Sequence, residues 1–129
     1  MTKTENKLLC ISGTMKQEVE YITLLKERWP RDWEDPEPTK DTIALVDEAV
    51  LIFPASEKLW IMRGDLYLLI NYEDETPIEE SLHCYERAIE INPRSHEAYF
   101  EKATFIDIHM GKPRKAKQFY EKSRLLKNA

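Results

Sequence analysis

SEKLWIMRGDLYLL, residues 56–69, and SHEAYFEKATFIDI, residues 95–108, are one pattern written twice. Ser56 meets Ser95, Trp60 meets Tyr99 and Gly64 meets Ala103, each pair 39 positions apart. The same offset joins Ala49 to Ala88 and Pro54 to Pro93, which makes LVDEAVLIFP (45–54) and CYERAIEINP (84–93) equivalent segments. A less complete copy follows at an offset of 35, with Ser81, Tyr85 and Ala88 answered by Ala116, Tyr120 and Ser123. Self-similarity at such a period marks stacked supersecondary units, none of which buries its apolar face alone.

Local signals divide each copy into two helices. Thr76-Pro77-Ile78-Glu79 reads as a helix start: the threonine caps, the proline sits where a missing N–H costs nothing, and the glutamate reaches back. Ser56 and Ser95 each precede a helical apolar pattern and read as N-caps, and Thr14 with Gln17 is a weaker capping box. Gly111 followed by Pro113 ends one helix and begins another. Prolines 30, 36 and 38 make RWPRDWEDPEP a loop. Six helices are expected, over about 15–29, 40–53, 57–71, 77–91, 96–110 and 113–127, with Gly64, Ala88, Ala103 and Ala116 at close crossings. Trp60, Tyr67, Tyr85, Tyr99 and Tyr120 should fill the space between them.

These residues resemble the tetratricopeptide repeat, a helix-turn-helix unit of about 34 residues. Trp60, Gly64 and Tyr67 match the pattern of its first helix, and Ser81, Tyr85, Ala88 and Pro93 in SLHCYERAIEINP match its second. Tyr99, Ala103, Ala116, Tyr120 and Ser123 match in the next unit; Thr42, Ala49 and Pro54 match in the one before. Arg63 and Lys102 depart from the pattern, which usually has leucine there; Val46 and Ile106 stand where it has aromatics, and about five extra residues lengthen the turn around Asn71 to Thr76. The resemblance implies an all-α fold: a short right-handed α-solenoid of about three units, 15–54, 56–93 and 95–127, in a single domain over 14–129 after an N-terminal extension of residues 1–13.

Composition agrees independently. The chain has 129 residues, 42% hydrophobic and 33% charged, too apolar for a disordered chain and too charged for a membrane protein. Three glycines are too few for a glycine-rich phosphate loop or for many tight β-turns. The net charge of −5 is unevenly spread: residues 1–93 hold ten Lys/Arg against twenty Asp/Glu, whereas 94–129 hold nine against four. An acidic body repels phosphate backbones, so no nucleic-acid partner is expected. The short apolar stretch Leu8–Ile11 is no secretory core and no run spans a bilayer, so no membrane association and a cytoplasmic location are expected. Cys10 and Cys84, far apart, suggest neither a disulfide framework nor a thiolate zinc site.

Candidate chemistry is sparse. His83 and Cys84 are neighbours, and neighbours on a helix point about 100° apart, so they make no nucleophile–base pair. His96 and His109 lack metal-ligand spacing. The acidic runs Glu73-Asp74-Glu75 and Asp32, Glu34, Asp35, Glu37 lack the alternating ligands and glycine of a calcium loop. No enzyme activity, metal or cofactor is expected. Trp29 and Trp33 read either as a recognition element or as indoles folded over the first helix pair. The last helix, PRKAKQFYEKSRLLK, reads first as a basic, solvated cap of the stack; its Leu125 and Leu126 leave room for weak self-association.

The resemblance also implies where a partner binds, because first helices of successive tetratricopeptide units line a concave groove. By position it is walled by Lys58, Ile61, Asp65, Leu68 and Leu69 on one side and Glu97, Phe100, Thr104, Asp107 and Ile108 on the other. Relatives that hold the carboxylate of a chaperone tail use Lys, Asn and Arg in this groove, whereas this chain offers Asp65, Glu97 and Glu101. The expected function is a protein-interaction module taking an amphipathic or basic peptide or helix. The alternative is a structural subunit that self-assembles through the last helix.

Overall fold

The structure is a computed structural model that describes residues 16–30, 37–70 and 78–129. These residues form six helices and no strand: α1 (Glu18–Glu27), α2 (Lys40–Ile52), α3 (Glu57–Leu68), α4 (Glu79–Ile91), α5 (His96–Thr104) and α6 (Pro113–Lys127). Each packs on its neighbours in chain order, most extensively α3 on α4 and α5 on α6. All six lie where the sequence patterns put them.

The ends differ from expectation by a few residues, for visible reasons. The first helix begins at Glu18, not residue 15, because the Gln17 N–H donates to the Glu20 carboxylate at 2.6 Å and starts the helix there. Thr14 lies outside the described residues, as do Thr76 and Pro77 of the expected α4 start. At the end of α3 the bonds Leu69 N to Leu66 O and Ile70 N to Tyr67 O tighten the chain before residue 71. The expected single helix over 96–110 is α5 followed by a π-helical turn, Phe105–His109. That wider turn buries both Phe105 and Ile106, and just beyond its Met110 cap comes Gly111, whose φ of 65° suits a residue without Cβ.

Both expected serine caps form. Ser56 Oγ accepts from Leu59 N (3.3 Å) and donates to Glu18 Oε2 (2.6 Å), joining the start of α3 to α1. Ser95 Oγ accepts from Ala98 N at 3.2 Å. One cluster of buried side chains, including Tyr21, Leu25, Val46, Leu59, Met62 and Leu66, fills α1–α3, with the Trp29 indole packed against it. Trp33 and the acidic runs at 32–35 and 73–75 lie outside the described residues. Ile61, Ala88 and Ala98 form a second cluster where α3, α4 and α5 meet.

The departures from the family pattern hold the stack together. Arg63 Nε donates to Asp47 Oδ1 on α2 and Arg63 Nη1 to Glu80 Oε2 on α4, both at 2.9 Å, so one guanidinium ties three helices. Lys102 on α5 pairs with Glu86 on α4 at 3.4 Å. Asp47 and Glu86, like Arg63 and Lys102, are 39 positions apart, so the repeat reproduces the ion pair along with the helices.

Candidate functional site

Two helices that are not adjacent in sequence, α3 and α5, are brought side by side by α4. Lys58 Nζ lies 3.5 Å from Glu97 Oε2 across them. One and two turns further along, Asp65 meets Glu101, the acid that with Asp65 and Glu97 stands where relatives have a carboxylate clamp. Tyr85 from α4 donates its hydroxyl to Asp65 Oδ1 at 2.6 Å and orients that carboxylate. At the far end, Tyr120 from α6 donates to Asp107 Oδ2 at 3.2 Å. Its other contact, Thr104 Oγ1 at 3.4 Å, is with the residue 39 positions after Asp65.

The apolar residues divide into support and surface. Ile61 is 1% exposed, covered by Ala88 and Ala98, and so holds the wall from behind without offering a contact. Leu68 is half-buried and Leu69 exposed at the C-terminus of α3. Phe100 is 51% exposed and meets Tyr120 edge-on with centroids 5.6 Å apart. Ile108, on the π turn, is exposed beyond it. A hollow of about 240 Å3 lined by His96, Glu97, Phe100, Ser123 and Lys127 lies at the α6 end.

Electrostatically this face is acidic and tuned. Burial and the neighbouring Asp65 carboxyl push Glu101 up to about 7, with Glu97 adding repulsion and Lys58 opposing it. Burial likewise raises Asp65, while the Tyr85 hydroxyl and Glu101 act in the other direction. Glu101 therefore holds a proton in the folded chain at a pH where it has lost it in the unfolded one. Its stabilising contribution is full below the ordinary carboxylate range and disappears as pH rises through about 7. Glu101→Gln keeps the hydrogen bond without the charge. It is expected to raise stability at pH 8 by about 1–2 kcal/mol after allowance for solvent screening, and to change little near pH 4. Urea unfolding at the two pH values checks this; an equal effect at both refutes the charge argument.

No group of three or more His, Cys, Asp or Glu suited to a metal occurs among the described residues. Cys84 is fully buried and its thiol is pushed up to about 11 by that burial, with His83 exposed beside it, so the pair has no activated thiolate. Among the described residues no helix is long and apolar enough to cross a membrane.

A family model described as tetratricopeptide repeat matches residues 84–118, the stretch running from α4 through α5 into α6. Over residues 84–118 the chain matches a tetratricopeptide repeat. Such a repeat is a protein-interaction unit of a typically non-catalytic kind. The packing of successive helices on one another runs through α1–α4 as well. No curated protein and no solved structure matches the chain.

Proposed function

We propose that the chain is a non-catalytic interaction module whose α3–α5 face binds a basic, amphipathic peptide or helix of a partner protein. The observation that carries this reading is the convergence of Asp65, Glu97 and Glu101 beside exposed Phe100, with Lys58 as the cation that the described contacts bring among them. Leu68, Leu69, Phe100 and Ile108 supply apolar anchors; Asp65 and Asp107, held by Tyr85 and Tyr120, supply oriented charge, and Thr104 a hydroxyl. The same acidity disfavours a partner's free C-terminal carboxylate.

Fluorescence anisotropy with a labelled helical peptide of leucine and lysine at heptad spacing tests it. Glu97→Lys combined with Asp107→Lys, which spares the Asp65 that Tyr85 needs, is expected to weaken binding about tenfold, two charge reversals at roughly 0.7 kcal/mol each. Wild-type binding should strengthen from pH 6 to pH 8 as Glu101 loses its proton. Unchanged affinity in the double variant refutes the groove assignment. A second reading, self-packing through α6, is supported by Leu125 at 59% exposure, and a mass that grows with concentration in light scattering would favour it.

A further inference from the structure

The two junctions of the stack differ at one packed position. Where α4, α5 and α6 meet, the Phe119 ring stacks on Tyr99 (centroids 6.5 Å apart, planes at 18°) with Lys102 Nζ 4.5 Å from its centroid. Where α2, α3 and α4 meet, the counterparts at offsets of 39 and 35 are Trp60, Arg63 and Cys84. The indole and the cation are present, but a thiol replaces the ring. Arg63 Nη1 reaches towards it, 3.0 Å from Cys84 Sγ. Beside it lies a hollow of about 280 Å3 lined by Asp47, Val50, Leu51, Trp60, Arg63 and Glu80. Its outer wall is Leu51, 80% exposed, where the second junction has Glu90.

We propose that this hollow docks an aromatic side chain carried on a basic segment of a partner protein. An apolar cavity of about 150 Å3 already takes up benzene, so the volume suffices. The incoming ring lies against Trp60 and the guanidinium of Arg63, as Phe119 lies against Tyr99 and Lys102. Asp47 and Glu80 set two carboxylates against that one guanidinium, so the rim is net negative and selects basic flanks. A second copy of this chain is a poor occupant: the rings of its basic helix α6 are engaged, Phe119 with Tyr99 and Tyr120 with Phe100. The proposal rests on the interaction-module reading and adds a second surface, since Trp60 and Arg63 lie on the side of α3 opposite Lys58 and Asp65 by helical geometry.

Amide and indole NMR shifts during titration with acetyl-Lys-Phe-Lys-amide test it. Saturable shifts are expected at Trp60, Val50, Leu51 and Arg63. They should weaken at least tenfold in Leu51→Lys, which removes the apolar outer wall and opposes the rim's charge, and in Cys84→Phe, which copies Phe119. The groove variant Glu97→Lys/Asp107→Lys should leave them in place, so failure of one surface is distinguishable from failure of the other. Absence of saturable shifts, equal shifts with acetyl-Lys-Ala-Lys-amide or acetyl-Glu-Phe-Glu-amide, or undiminished binding in Leu51→Lys overturns the proposal. Should Cys84→Phe not fold, Leu51→Lys decides alone.

Discussion

Gly64→Ala should lower the unfolding free energy by about 2 kcal/mol, although alanine is the better helix former by about 1 kcal/mol. A Cβ built on Gly64 stands 2.6 Å from Tyr85 Cε1, well inside van der Waals contact. The ring has little freedom to retreat, because Tyr85 is fully buried and its hydroxyl is held by Asp65. Overpacking of this kind typically costs 1–3 kcal/mol and here outweighs the propensity gain. In a domain of this size the loss corresponds to a fall in Tm of roughly 6–12 °C. Thermal unfolding measures it, and Tyr85→Leu in the same chain should recover part of the loss by vacating the space. An alanine variant as stable as the wild type would show that α3 and α4 separate readily, against the close crossing seen here.

That crossing was legible in the sequence because glycine at a fixed offset from alanine is a one-residue statement about space: Gly64 and Ala103 are equivalent, and both are buried. Caps were legible for the same reason, since Ser56 and Ser95 act within their own turn. Interactions that cross between units were harder to see. Ile61 stands in the groove by position, yet Ala88 of its own unit and Ala98 of the next cover it. Asp65 on α3 and Glu101 on α5 share the groove face by position, but no pattern inside either helix announces that the two carboxyls meet. The π turn after α5 follows from how Phe105 and Ile106 both reach the core, a packing outcome with no local marker. Arg63 and Lys102 stood out only as departures from leucine. The signal that explains them was nevertheless present, because Asp47 and Glu86 repeat at the same offset as the two bases.

Arg63→Ala should cost about 2–3 kcal/mol, and more than Lys102→Ala. Arg63 is mostly buried and makes donor contacts to Asp47, Glu80, Cys84 Sγ and the Tyr67 hydroxyl, while its guanidinium lies 4.3 Å from the Tyr67 ring centroid. Burial opposes its charge, but the hydrogen bonds to Glu80 and Asp47 more than offset that. Removing it leaves two carboxylates facing each other across a void. For a fully buried pair the loss reaches about 3–5 kcal/mol, reduced here because both acids keep partial access to water. Lys102 makes one pair, at 3.4 Å, to a more exposed Glu86. Arg63→Leu combined with Asp47→Asn and Glu80→Gln removes charge and void together and should lie within about 1 kcal/mol of the wild type, since apolar packing commonly substitutes for such a network. The acid limb separates the variants further. Arg63 holds the Glu80 carboxyl below its usual range, so the stability from that pair is present above the ordinary carboxylate range and lost as pH falls through the lowered value. Urea unfolding between pH 3 and 7 should therefore show a steeper acid loss in the wild type than in the triple variant. Parallel curves would mean that Arg63 stabilises the stack by filling space between α2, α3 and α4 rather than by its charge.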